Sequence, residues 1–488
     1  MTNATAPKLP VIFLFLLNFV TALALINEGL FHYDSVVLAQ AVEKTYRTGI
    51  LQPAFAGRYG SVILNFIAAF PFLVTGANAD FAVRLCSVFF HAASIVMFFL
   101  LVKELFSDTM MAFFSALLLS FTPFYFSPNT YGKEHGAANF FLFLSLFLLK
   151  KGLDKRSAVY VSIASAAFVY AITVRESMLV ATPLFLLFWF YPAVFPARSA
   201  AVFFYEKVRS KLFLSFAASF FAAFFFIYFS YLRGAIKEIL TAPTTTPAFL
   251  GMFSPALAAA LRDLYANVPF LVFIFAAVGA FRMILQRKFF LSGFFLLWCA
   301  SLFYYGNISL YCPRYLDMVV IPVYVFAGYA LSGLLVKDKL IAYSIVIYCM
   351  VEMFGFLYPV LAYRHRYNGE KQLALFVKEK TEKDAIIYGV DHDPFIQYYG
   401  GCKTVEDGVY HINNSREFIA RIKSYLQRGI PFYILEKSMG YPSNRIHKKA
   451  LEENLKLTLI GEKLTEDYHK VEARLALFNE RLVRVSLP

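Results

Sequence analysis

NEGLFHYDSVVLAQAVEKTYRTGILQPAFAGRYGS, residues 27–61, is a polar interruption between two strongly apolar segments, PVIFLFLLNFVTALALI at 10–26 and SVILNFIAAFPFLVT at 61–75. It carries Glu28, His32, Asp34, Glu43 and Arg58 at a membrane boundary. Ionisable groups there are costly unless they meet water, a partner or a substrate. Two readings stay open for any one of them: a charge that marks the end of a span, or a member of a site.

The chain outside this stretch is that of a polytopic membrane protein. Of its 488 residues 59% are hydrophobic and 16% charged, far from the balance of a soluble domain. Aromatic residues make up 18%, with 57 phenylalanines, which suits lipid-facing helices and interfacial belts. The formal charge of +14 does not form a nucleic-acid footprint, because the basic residues gather in short loops between apolar runs, where they act as an orientation signal.

The run 10–26 is long enough to span once, and without a convincing small-residue cleavage pattern it reads as an anchor. Further spans are expected near 82–102, 109–126, 135–149, 157–174, 178–192, 212–232, 267–285, 289–305, 315–336 and 340–359. The basic loops KKGLDKRS (150–157), ARSAAVFFYEKVRSK (197–211), RMILQRK (282–288) and KDK (337–339) belong on the cytoplasmic side. With Lys8 also inside, the alternation works only if the short segment 61–75, with Asn65 and Pro71, does not cross. It is then a juxtamembrane or re-entrant helix of the first external loop. The expected fold is an all-α membrane bundle of about 11 transmembrane helices over residues 1–362, N-terminus inside. A soluble extracytoplasmic α/β domain follows over 363–488.

This topology sends Asp34, Arg58, Lys133, Glu134, His135, Arg175, Glu176, Arg314 and Asp317 to the outer face. The outer loop 233–268, long and rich in Pro, Thr and Gly, is a candidate lid. In 363–488, DAIIYGV, KTVED, PFYILEK, LKLTLIGE and ALFNERLVRVSL read as strands, and SREFIARIKSYLQRG and NRIHKKALEENL as helices. No glycine-rich phosphate loop is present. The five cysteines, Cys86, Cys299, Cys312, Cys349 and Cys402, show no zinc-ligand spacing. Cys312 and Cys402 share the oxidising side, so a pairing between them stays open.

Four places together resemble the GT-C superfamily of polyprenyl-phosphate-sugar-dependent glycosyltransferases, which includes protein mannosyltransferases and the aminoarabinose transferases of lipid A. They are HYDSVVLAQAVEKTYRTG with QPAFAGRYGSVILNFIAAF; GANADFAVRLCSVFFHAASIVMFFLLVKELF; TVRESMLVATPLFL; and YYGNISLYCPRYLDMVVIPVYVFAG. They run in order over most of the membrane part. The chain departs from the family with Gly57-Arg58 where two prolines are frequent, and with Asp34-Ser35 where an acidic pair is frequent. Glu134 is the match to the family's second acidic position, at the start of a span.

The resemblance implies a polyprenyl-phosphate sugar donor, an envelope acceptor (lipid, glycan or protein) and a lipid bilayer as partners. Such a reaction needs a carboxylate to take the acceptor proton and cations to receive the departing phosphate. Asp34 with Glu134 suits the first task; Arg58, Lys133 and Arg314 suit the second, since a guanidinium offers paired donors in a fixed fork. A divalent cation held by Asp34, Glu134 and His32 or His135 is an alternative, and for both histidines plain interfacial hydrogen bonding is the competing reading. His91 and Glu352, inside expected spans, support a rival function, a lipid-linked sugar flippase or secondary transporter.

Overall fold

In an apolar setting a backbone must satisfy its own polar groups, and helices do so within one segment. The computed structural model is accordingly helical through its first three quarters. It describes residues 8–54, 58–188, 211–227, 255–299, 313–406, 414–440, 445–466 and 475–488, with Val409 and Ile412. Cys312 and residues 233–254 of the candidate lid lie outside the described residues.

The helices are α1 (Lys8–Ala24), α2 (Tyr33–Thr48), α3 (Tyr59–Val74), α4 (Asp80–Phe106), α5 (Thr109–Ser120), α6 (Pro123–Thr130), α7 (His135–Asp154), α8 (Ala158–Val174), α9 (Thr182–Phe188) and α10 (Lys211–Ile227). They continue with α11 (Pro255–Asn267), α12 (Phe270–Leu285), α13 (Phe289–Cys299), α14 (Asp317–Lys337), α15 (Lys339–Arg366), α16 (Gly369–Lys380), α17 (Ser415–Gln427) and α18 (Arg445–Asn454). By length and composition, four described helical segments can cross a membrane: Asp80–Phe106, His135–Asp154, Asp317–Lys337 and Lys339–Lys380. Two bent pairs, α5 with α6 at 65° and α11 with α12 at 105°, bring the number to six. Five more apolar helices, including α1, α3 and α8, have 10–17 residues. At 1.5 Å per residue these fall short of a hydrocarbon core of about 30 Å.

The chain divides into two compact units. One comprises residues 1–26, 41–361 and 471–474, the other 27–40, 362–470 and 475–488. The boundary therefore cuts through α2, whose first half belongs with the C-terminal part of the chain.

In the first unit α4, α5, α7, α8, α12, α13 and α14 share one apolar core that includes Phe98, Phe114, Leu142, Phe168, Trp298 and Tyr324. Two glycines permit its closest approaches. A Cβ on Gly279 of α12 would run into the Phe326 carbonyl oxygen of α14, and one on Gly60 would lie 3.0 Å from the Thr173 and Val174 backbone at the end of α8. Helix α3 is amphipathic within its apolar composition. Ser61, Val62, Asn65, Ala69 and Leu73 are buried, while Ile63, Ile67, Phe70 and Val74 face outward. Glu43 of α2 accepts the Ala79 N–H at 3.0 Å and so serves the start of α4.

The second unit is built on a five-stranded sheet in the order β2-β1-β3-β5-β4: β1 (Ile386–Tyr388), β2 (Lys403–Thr404), β3 (Phe432–Leu435), β4 (Lys456–Glu466) and β5 (Leu477–Ser486). Strand β1 runs parallel to β2 and β3, while β5 runs antiparallel to β3 and β4. Apolar side chains fill both sides, Tyr388, Phe418, Ile422 and Phe432 on one and Leu373, Ile387, Tyr433 and Leu482 on the other. One buried and one half-exposed ion pair hold the edge of this unit. Arg364 pairs with Glu466 at 2.8 Å and lies over the Phe31 ring, and Lys371 reaches Glu28 at 3.3 Å. Burial alone would lower the pKa of His392, but Glu370 and Glu480 outweigh it and raise the imidazole to about 10.

Candidate active site

Four chain connections in the first unit, each leading into a helix, carry its buried charges. Arg58 precedes α3, Lys133, Glu134 and His135 open α7, Arg175 and Glu176 follow α8, and Arg314 and Asp317 lead into α14. Carboxylates at these places gain from the exposed N–H groups and positive end of the following helix. Asp317 shows this directly, accepting the Met318 N–H at 2.8 Å.

Arg58 spends all three guanidinium nitrogens on carboxylates. Its Nε and Nη2 donate to the two oxygens of Glu176 at 2.7 and 2.8 Å, and Nη1 donates to Glu134 at 2.7 Å. The pairing is anchored by Gly60, whose carbonyl accepts the Tyr170 hydroxyl at 3.1 Å and whose missing side chain lets the start of α3 touch the end of α8. Burial raises the Glu176 pKa, yet the Arg58 charge and hydrogen bonds outweigh it, and the carboxyl is held below the usual range. Fork geometry and charge together make such contacts strong.

Beside it stands a triangle of Arg175, His135 and Asp317. Arg175 Nη1 donates to Asp317 Oδ2 at 3.1 Å; His135 Nδ1 lies 2.9 Å from the same oxygen and 2.7 Å from Arg175 Nη1. His135 and Asp317 are each 1% exposed. Arg58, Lys133, Arg175 and Arg314 all act on His135 through their charges. The buried cluster thus sets four cations against three carboxylates, Glu134, Glu176 and Asp317. Guanidinium and ammonium groups gathered in this way suit an anionic phosphate.

The structure brings Arg58, Lys133, Glu134, His135 and Arg314 of the expected site together, and adds Arg175, Glu176 and Asp317. Sequence reasoning placed those three on the same face but gave them no role. The signal was the Arg-Glu pair in TVRES, immediately after a span. Asp34 and His32 belong to the second unit. There His32 Nδ1 accepts the Asp34 N–H at 3.1 Å and helps start α2, and the Asp34 carboxylate lies 3.9 Å from the same nitrogen. Neighbouring parts of 27–40 are tied into that unit: Leu30 donates to the Tyr399 hydroxyl at 2.7 Å and accepts from Asn368 Nδ2 at 2.9 Å.

Of the residues expected to hold a divalent cation, Glu134 and His135 are engaged within the cluster, while His32 and Asp34 belong to the second unit. Glu134 is occupied by Arg58 and His135 Nδ1 by Asp317 and Arg175, and among the described residues no three His, Cys, Asp or Glu side chains gather as metal ligands.

A family model described as dolichyl-phosphate-mannose-protein mannosyltransferase matches residues 60–203, which include Lys133–His135 and Arg175–Glu176. No individual curated protein matches the chain by sequence. Similar solved structures include ArnT from Cupriavidus metallidurans bound to undecaprenyl phosphate, with a TM-score of 0.61, 11% identity, and cover of 99% of this chain and 98% of that one. AglB, the oligosaccharyltransferase of Archaeoglobus fulgidus in complex with an inhibitory peptide and a dolichol-phosphate, aligns at a TM-score of 0.59 and 13% identity over 97% of this chain and 74% of that one. The arabinofuranosyltransferase AftD from Mycobacteria aligns at 0.56 and 10% identity over 99% and 40%. The matched family and all three of these structures are GT-C glycosyltransferases, and the chain has their fold.

Proposed function

We propose that the chain is an integral-membrane glycosyltransferase of the plasma (inner) membrane, moving a sugar from a polyprenyl-phosphate donor to an envelope acceptor on the outer face. The observation that carries this reading is the buried cluster with four cations and three carboxylates, set at helix starts of a GT-C fold. Two structural neighbours hold undecaprenyl phosphate or dolichol-phosphate, which supports the same class of donor here. The reading takes the expected topology of eleven crossings with a cytoplasmic N-terminus, under which these charges lie on the outer face, where such a headgroup resides.

In this reading Lys133 and Arg314 receive the donor phosphate. Arg58 holds Glu134 and Glu176 in register and adds positive charge nearby. The acceptor hydroxyl oxygen attacks the anomeric carbon as the bond from that carbon to the phosphate oxygen breaks. The electron pair leaves with the phosphate, and the hydroxyl proton passes to Asp34, the catalytic base, with Glu134 as its helper. One displacement inverts the anomeric centre. A transport pathway is the weaker reading, because these charges gather at helix ends, whereas a translocation route needs them along the span.

Binding of undecaprenyl phosphate and dolichyl phosphate to the purified protein, against the matching neutral polyprenols, tests the site. Phosphate-dependent binding is expected, and Arg314→Lys, which keeps the charge and loses the fork, should weaken it roughly tenfold, about 1.4 kcal/mol, with the melting temperature of the unliganded protein unchanged. Equal binding of phosphate and alcohol would sink the proposal.

A further inference from the structure

Helix α15 carries a charge that the site does not use. Its 28 residues have Glu352 at the middle, roughly 20 Å from either end at about 1.5 Å per residue. The apolar window of this span is 28% buried, whereas the windows of α4, α7 and α14 are 72%, 61% and 72% buried. Ala342, Val346, Cys349, Met353 and Leu357 form its inner seam, while Ile347, Tyr348, Val351 and Phe356 face out. Glu352 is half-buried at the edge of this outer face. It engages the Tyr348 hydroxyl one turn earlier, and among the described residues no cation pairs with it. Gly355, one turn later, leaves open space where a Cβ would point. The three share one stripe of the helix surface.

A carboxylate inside a span is costly, and one tyrosine hydroxyl offsets part of that. Such groups ordinarily face a bundle interior or a partner. This one faces away from its own bundle, which removes it from any transport path through that bundle. Between residues 340 and 359 the rest of the outer face is uncharged, so the complement to it, which no described residue supplies, is one positive charge at the same depth. A second copy of the chain would bring a second carboxylate instead.

We propose that the Tyr348, Glu352 and Gly355 stripe docks a transmembrane helix of another protein, one that carries a single lysine or arginine near mid-span. The Gly355 gap admits the close approach that helix pairs in membranes use, and the buried ion pair fixes depth and register.

The full chain in phosphatidylcholine vesicles, labelled with a fluorophore, is titrated with synthetic polyleucine helices of about 20 residues carrying a central Lys, Leu or Glu. The Lys helix is expected to associate roughly tenfold more strongly than the Leu helix, with the Glu helix weakest, and Glu352→Gln should erase the preference while leaving the protein folded. Equal association of all three helices overturns the proposal. In native membranes a photo-cross-linking side chain at Val351 should capture a span with a mid-depth basic residue, and Glu352→Gln should reduce that adduct tenfold. Capture of the chain's own α15, or of lipid alone, also overturns it.

Discussion

Glu134, Glu176 and Asp317 are each nearly out of water, and each is matched to a guanidinium or imidazole within about the length of a hydrogen bond. Breaking one such pair costs about 3–5 kcal/mol, because the remaining charge stays buried. Glu176, held by two Arg58 nitrogens, and Asp317, held by Arg175 and His135, are therefore poor candidates for taking up a proton at each turnover. The Asp34 carboxylate, 3.9 Å from His32 Nδ1 at the start of α2, is the base in the proposed reaction. An ordinary carboxylate is a weak base toward an alcohol, with a reference pKa near about 3.9, yet it can accept the proton late, as the bond to phosphate breaks. Asp34→Asn preserves shape and removes the charge. Expected is a folded, donor-binding protein whose transfer rate falls about a hundred- to ten-thousand-fold. Transfer within a few-fold of wild type would reduce Asp34 to a boundary charge and point to Glu134.

Helix starts account for what was legible among these residues. KEH, TVRES and PRYLD each combine an acid and a base beside an apolar run, so a charge at a span boundary is visible in the chain itself. The pairing of charges was not visible. Arg58 was expected to meet phosphate and instead meets Glu176, 118 residues later, through a contact that depends on Gly60 lying against Thr173. His32, a candidate metal ligand, accepts the Asp34 N–H in the first turn of α2, a local bond that no ligand spacing announces.

At the scale of elements, apolar length and loop charge located the helices well. The expected span 82–102 lies inside α4, 157–174 matches α8, and PFYILEK contains β3. Bends were not legible, because 109–126 reads as one apolar run while the structure turns by 65° between Ser120 and Pro123, where proline can begin a helix but not continue one. Nor was α11, which makes part of the Pro- and Thr-rich loop 233–268 helical. Helix α3 decides the topology. Its length is close to that of α1 and α8, so length alone does not separate it from a crossing; it has Pro71 inside and packs one side on α4 and α8. A single cysteine introduced near Gly76 should react with an impermeant thiol reagent from outside the cell, as should sites in 363–488, with sites at Lys151 protected. Reaction near Gly76 only from the cytoplasm would make α3 a true crossing and reverse the face assigned to Glu134.

At the scale of the whole molecule, the sequence divides plainly near residue 362, where apolar runs give way to charged, strand-forming segments. Less plainly, residues 27–40 group with the C-terminal unit, held by contacts such as Glu28 with Lys371 and Leu30 with Tyr399. Their partners lie more than 300 positions away, and short polar contacts at that separation leave no periodic trace. Asp34 thus belongs with the sheet-bearing unit, while the cationic cluster belongs with the helical one. The direct test is to supply the purified full chain, in proteoliposomes, with a panel of polyprenyl-phosphate sugars and to measure both released polyprenyl phosphate and sugar covalently joined to envelope acceptors. Expected is one donor that loses its sugar, with polyprenyl phosphate and glycosylated acceptor formed in equal amounts. Donor that crosses the bilayer intact, with no polyprenyl phosphate released from any member of the panel, would contradict the assignment.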